Sequence, residues 1–404
     1  MLPAYPPGPT FIRELDDYLC STRYPKVESV DQIDESAQPV ENSELSNSPL
    51  QRGDMAEIQG PSGSGKTSLM LFFLMISILP ETYQTNGNQS GEPGERIKVD
   101  IGGKRQQVVL LYMQDSKSPI ERLKRAIRSH LDHCLVNIGM RNGVKRKPII
   151  AEITKSSLSR LTVIAIPSPS DGFEPNPDIS PYAGLYTALK HLVEFTSKRV
   201  DGEIAMLAID GLGDTFWQAR WYREHRRNNK SSRSSSSGPV IQGSNDVSMD
   251  DLMSLITQIR KDLGCIVVVT NQAIWKPIDP KTSKTVPSSP FWAQHLPAPW
   301  PSPFQVRNTK DQSGNEVIQD GSSSKYWPLS FHITLSSPSE TLRQFRADIT
   351  LREVLREEGE GQKRDLARKE AVWKGLVRIP SGYAVEGEFG EFAIRVGADG
   401  IFIE

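Results

Sequence analysis

Cysteine is scarce in this 404-residue sequence: Cys20, Cys134 and Cys265 stand far apart, in no C-x-x-C pair and no Cys/His cluster. That pattern excludes a disulfide framework and a structural zinc site, and it points to a reducing compartment. Long apolar runs are missing as well. The longest, Leu69 to Leu79, is too short to span a bilayer, and no basic segment followed by an apolar run opens the chain. The sequence therefore reads as soluble, not secreted and without a membrane partner. Nor is there an excess of charge, since 48 Lys and Arg face 49 Asp and Glu. No global field draws nucleic acid, so any such site must be local. Internal repeats are absent too, and the length suits one large domain or two.

What is present is the run Gly60, Pro61, Ser62, Gly63, Ser64, Gly65, Lys66, Thr67, Ser68. It fits G-x-x-x-x-G-K-[ST], the phosphate-binding loop. Met55 to Gln59 before it suits a short strand, and Thr67 onward suits a buried helix that Pro80 stops. Strand, loop and helix come in the order the chemistry needs, which separates the motif from a flexible Gly/Ser turn. Backbone N–H groups at the helix start favour an anion, Lys66 reaches β- and γ-phosphates, and the Thr67 hydroxyl ligates Mg²⁺. The motif predicts ATP and Mg²⁺ as ligands, bound by residues 60–68.

Three more apolar runs have the length of buried strands: Gln107 to Met113, Leu161 to Ile166 and Ile204 to Asp210. Cys265 to Gln272 is a fourth. Helical spacing marks Phe11 to Leu19, Ile120 to about Cys134, Tyr182 to about Arg199, and Met249 to Leu263. This alternation predicts a mainly parallel sheet with right-handed crossovers. Leu329 to Leu335, Gly390 to Val396 and Gly400 to Ile403 read as later strands, and Glu353 to Lys374 as a charged, solvated helix or loop. The chain divides into an N-terminal helix and linker, 1–50, and one domain, 51–404. Insertions fall at about 81–105, 138–158, 226–247 and 276–327. Within the second, basic Arg141 to Lys147 reads as a solvated loop rather than a nucleic-acid patch.

Asp210 ends its strand where open α/β sheets place ligands. It either holds Mg²⁺ opposite Thr67 or caps the turn before Gly211. Gln272 would sit at the same edge, sensing a γ-phosphate or satisfying loop backbone. Asp115 lies just past the second strand. Arg220, Arg223, Arg226 and Arg227 are interleaved with Trp217, Trp221 and Tyr222. Such a segment stacks on bases and contacts the phosphates of DNA, or it packs its aromatics on the core.

Four features stand in one order: the phosphate loop after Gly53 to Gln59; Leu110 to Asp115 with Pro119 and Glu121 to Leu123; Leu207 to Asp210; and Val268 to Gln272. That order, with the ending Glu391 to Ile401, resembles the RecA superfamily of DNA strand-exchange ATPases. Ile78 to Pro80, Leu207 to Trp217 and Thr270 to Ile274 are similar to its eukaryotic recombinase-paralogue branch. The likeness covers roughly residues 50–275 and the last strands.

The resemblance implies an α/β, RecA-like ATPase core: a mainly parallel central sheet flanked by helices, antiparallel C-terminal strands and long insertions. It makes Asp210 the second motif's acid, Gln272 the link from nucleotide to a loop, and Asp115, beside Ser116 where active recombinases carry a glutamate, the acid for water. A shorter, displaced carboxylate implies slow hydrolysis. With no N-terminal helical DNA-binding domain and no Phe-x-x-Ala signal, a self-assembled filament is not expected. The implied role is accessory: assembly with other recombinase paralogues and the main recombinase, on single-stranded or branched DNA, in the nucleus. A DNA-dependent motor or a non-hydrolysing scaffold are the alternatives.

Overall fold

The computed structural model describes residues 7–24, 48–86, 96–113, 118–166, 180, 182–198, 203–214, 216, 247–273, 291–292, 296, 300, 307–310, 316–319, 329–336, 372–379, 389–397 and 400–402. Everything below concerns these residues. Asp115, Ser116, Arg220, Arg223, Arg226 and Arg227 lie outside them, as do 353–371.

The sheet is built around β1 (Met55–Gly60), a strand buried along its whole length. The next helix, α2 (Lys66–Ile78), is apolar on every side and buried from Ser68 onward. A helix of that kind needs cover all round, and it lies between the sheet and the elements packed beyond it. Leu79 leaves it in an extended conformation, as a residue before proline must. The chain then forms a hairpin, β2 (Thr82–Asn86) against β3 (Arg96–Asp100). On its way back it closes the helix end. The N–H groups of Lys104, Gln106 and Arg105 bond the carbonyls of Ile76, Ser77 and Leu79, which the helix itself leaves unpaired. The stretch read as an insertion thus contributes a hairpin and a C-terminal cap.

After β4 (Gln107–Met113), α3 (Ile120–Asn137) buries Leu123, Ile127, Leu131 and Leu135 at a four-residue spacing. The expectation of a solvated loop at Arg141 to Lys147 is corrected: α4 (Gly143–Leu158) begins there. Asn142 caps it through the Val144 N–H at 3.0 Å. Arg146 reaches across to Asp132 on α3 at 2.7 Å, and Ile153 is buried. Arg141, Lys145 and Lys147 keep to the solvent side.

A second correction concerns β5 (Leu161–Ile166). It was expected to be buried, but it pairs on one side alone and is largely half-exposed. An apolar run of strand length does not reveal whether a second neighbour covers it.

Next come α5 (Ala183–Lys198), β6 (Ile204–Asp210), α6 (Met249–Leu263) and β7 (Ile266–Gln272). A Ser248/Asp251 capping box starts α6, and left-handed Gly264 ends it. A small hairpin joins β8 (Arg307–Lys310) to β9 (Glu316–Gln319). Then follow β10 (Phe331–Ser336), β11 (Val372–Arg378), β12 (Gly390–Gly397) and β13 (Gly400–Phe402). Residues 372–374, expected in a charged helix or loop, open β11, where Trp373 and the strand's alternate residues face the core.

The sheet runs β13-β12-β11-β10-β1-β7-β6-β4-β5. From β10 to β5 every pairing is parallel, and from β10 to β13 every pairing is antiparallel. The expected α/β class, with a mostly parallel sheet and antiparallel C-terminal strands, is observed. One face packs on α2 and α3 through Ile58, Leu74, Leu110 and Ile333. The other packs on α5 and α6 through Met55, Leu207, Val267 and Ile256. Among the described residues no helix is long and apolar enough to cross a membrane.

Candidate phosphate site

Parallel pairing brings the C-terminal ends of β1, β7 and β6 to one edge, the place where such sheets hold ligands. Gly60, Gln272 and Asp210 stand there. In the register between β1 and β7, Gly60 faces Gln272 directly.

The loop from Gly60 to Gly65 turns tightly and feeds α2. Ser64 N–H donates to the Pro61 carbonyl at 3.2 Å. Gly65, which starts the helix, has φ +90°, a left-handed conformation that glycine alone adopts without strain. A side chain there would also crowd Val396 of β12, whose methyl lies 3.2 Å from the added carbon. The N–H groups of the first turn, Lys66 to Ser68, have no acceptor within the helix and open toward the loop. The Ser64 hydroxyl is fully buried and has no partner among the described residues.

Lys66 folds back over this loop, and its ammonium donates to the carbonyls of Gly60 at 2.9 Å and Pro61 at 2.8 Å. Burial pushes its pKa down to about 8, against the pull of Asp210 and Asp214. The Thr67 hydroxyl meets Asp210, at 3.0 Å from one carboxylate oxygen and 3.2 Å from the other. From β7, Thr270 Oγ1 donates to the same carboxylate at 2.7 Å and accepts the Gly211 N–H at 2.8 Å. One hydroxyl thus serves as donor and acceptor, which fixes the Asp210 carboxylate and the turn after it.

Of the residues marked in the sequence, the fold brings together Gly60, Pro61, Ser62, Gly63, Ser64, Gly65, Lys66, Thr67, Ser68, Asp210 and Gln272. Asp115 and the four arginines fall outside the described residues. Several site residues were given no role of their own in the sequence. Thr270 is one. Asp214 is another: it is exposed to solvent as a residue, yet its carboxylate is set against the tight turn at Gly211, and loss of water with repulsion from Asp210 raises its pKa. Arg122 of α3 donates to Ser68 Oγ at 2.6 Å, adding a cation beside the helix start.

Among the described residues no three His, Cys, Asp or Glu side chains are grouped to hold a metal. A protein-only metal cage is therefore not formed there. The Thr67 hydroxyl and the Asp210 carboxylate are hard oxygen donors of the kind Mg²⁺ takes one or two of, completing its shell with water and phosphate. The donor set fits that use. Compared with known proteins, the chain matches no family model and no curated protein.

Proposed function

We propose that this chain is a RecA-like phosphate-loop protein that binds ATP with Mg²⁺. The observation that carries the reading is the contact of Thr67 with Asp210 beside Lys66, where a hydroxyl, a carboxylate and a buried ammonium converge on a helix N-terminus. Lys66 exchanges the Gly60 and Pro61 carbonyls for phosphate oxygens, and the first-turn N–H groups of α2 hold the anion. Thr67 and Asp210 hold Mg²⁺, and Thr270 keeps Asp210 aimed. Bound Mg²⁺ supplies charge neutralisation at the phosphate oxygens. Gln272, opposite Gly60 in the strand register, is the residue this reading assigns to sensing the γ-phosphate. Strand order supports the reading too, because β7 lies between β1 and β6 and brings all three functional ends together.

On the resemblance in the sequence, the role is that of an accessory recombinase paralogue in homologous recombination, with likeness to X-ray repair cross-complementing protein two. It acts in the nucleus with other paralogues and the main recombinase, and on single-stranded or branched DNA directly or through that complex. Nucleotide acts as a switch for assembly more than as fuel. The test is ATP binding and turnover by the purified chain, with and without single-stranded DNA, against Lys66→Ala. Binding lost in the variant, with slow turnover in the wild type, is expected. Fast DNA-stimulated turnover would favour a motor, and wild-type binding by Lys66→Ala would remove the nucleotide reading.

A further inference from the structure

On the α5/α6 face of the sheet, beyond Met55, the core turns polar. Glu57 and Gln59 project there from β1, Asn271 from β7, and His332 and Thr334 from β10, and all are buried. Burying a carboxylate in such a place is costly unless it is well partnered.

Glu57 is the hub. One oxygen accepts from the Asn271 amide at 2.5 Å; the other accepts from the Trp300 indole at 3.5 Å and lies 3.9 Å from His332 Nε2. His332 Nδ1 faces the Arg378 donor at 3.4 Å, which assigns the ring proton to Nε2 and to the Gln59 carbonyl at 3.1 Å. The Arg378 guanidinium lies 4.0 Å over the Phe291 ring, and Phe389 meets that ring edge-on. Phe291 and Trp300 belong to the long Pro/Trp-rich stretch after Gln272, and both are buried. The cluster retains slack, since Asn271 Oδ1 and Thr334 Oγ1 have no partner among the described residues.

The same strand end touches the phosphate loop. The Gly60 carbonyl accepts from Lys66 at 2.9 Å and from the N–H of Ala273 at 2.8 Å. Gln272 is therefore held on both sides: Ala273 on the carbonyl that Lys66 uses, and Asn271 on Glu57.

We infer that Glu57 is a positioning residue that sets Gln272 against the phosphate loop and fastens the Phe291 and Trp300 stretch to the same strand. The inference rests on the nucleotide reading above. Phosphate drawing Lys66 off Gly60 alters the bond that anchors Ala273, and the Glu57 cluster passes the change to Trp300. Glu57→Gln keeps the shape but turns one acceptor into a donor facing the N–H of Trp300 or Asn271. Trp300→Phe removes one N–H and leaves β1 and β7 as they are.

The experiment is hydrogen–deuterium exchange on the full chain, free, with ADP, and with ATPγS and Mg²⁺, together with the affinity for each nucleotide. Without nucleotide, Glu57→Gln is expected to speed exchange around 291–300 about tenfold or more, and Trp300→Phe to speed it less. In the wild type ATPγS, unlike ADP, slows exchange there. Glu57→Gln loses that difference, and its preference for ATPγS over ADP falls about tenfold, whereas Trp300→Phe keeps the preference. A Glu57→Gln protein that merely melts earlier, with wild-type preference, overturns the inference. So does unchanged nucleotide-free exchange at 291–300 in both variants. If ATPγS does not bind the wild type, the nucleotide reading falls and takes the coupling with it, while the nucleotide-free arm still judges the anchor.

Discussion

The Thr67 hydroxyl and the Asp210 carboxylate meet at 3.0 Å across 143 residues of chain. Neither residue could be held there by its own segment. β7 lies between β1, which leads into the helix of Thr67, and β6, which ends in Asp210, and its Thr270 bonds Asp210 from the middle.

Asp210→Asn removes the charge and one acceptor while keeping the shape. Loss of a charged hydrogen bond is worth about 1.5–3 kcal/mol, so the affinity for Mg·ATP should fall roughly 10- to 100-fold. Affinity measured in EDTA should change far less. Equal losses with and without Mg²⁺ would mean that Asp210 does not serve the cation.

Lys66 has a pKa of about 8 against a reference of 10.5. Its cationic form, which a phosphate needs, disappears above about pH 8, so nucleotide affinity should decline as pH rises from 7 to 9. Binding near pH 8 should take up protons, detectable by calorimetry in buffers of differing ionisation heat. The stability effect has the opposite sign. Between about 8 and 10.5 the unfolded chain keeps a proton that the folded chain has lost, so this group's contribution to stability rises with pH over that window.

Gly65→Ala places a side chain at φ +90° and against Val396. A cost of about 1–2 kcal/mol in urea unfolding is expected from the left-handed backbone alone. On the proposed nucleotide reading, binding should fall as well, because the same residue starts the helix assigned to the anion.

Arg23 of α1 (Arg13–Arg23) grips Asp54 with two hydrogen bonds, at 2.9 and 3.0 Å, and both side chains are largely buried. Asp54→Ala leaves that guanidinium without its counter-ion and should cost about 3–5 kcal/mol. Arg23→Ala combined with Asp54→Ala should cost less than Asp54→Ala alone. Chemical denaturation of the three variants measures the coupling.

The parts of the site that one stretch of chain encodes were legible in the sequence. Gly60 to Ser68 announces strand, turn and helix together, and Asp210 announces itself as a carboxylate ending an apolar run. Thr270, Arg122 and Val396 were not legible, because sheet order and helix packing bring them to the loop from elements whose own patterns say nothing of phosphate. Glu57 was hidden for a related reason: a single acid inside a buried strand looks like noise until Asn271, Trp300 and His332 are seen around it. At β5 and α4 local pattern misled, since neither an unpaired edge nor an asparagine cap inside a basic stretch changes the apolar spacing.

The placement of β1 also dictates an order of events during synthesis. Its bonding partners emerge late, Asn271 bonding Glu57 from 214 residues further on and Ser330 bonding Met55 from 275. Until those residues leave the ribosome, β1 lacks both of its neighbours in the sheet, and contacts so distant along the chain form slowly. A nascent chain stopped before residue 329 would lack β10 and should depend on chaperones, whereas one released beyond it can close the sheet around the phosphate loop.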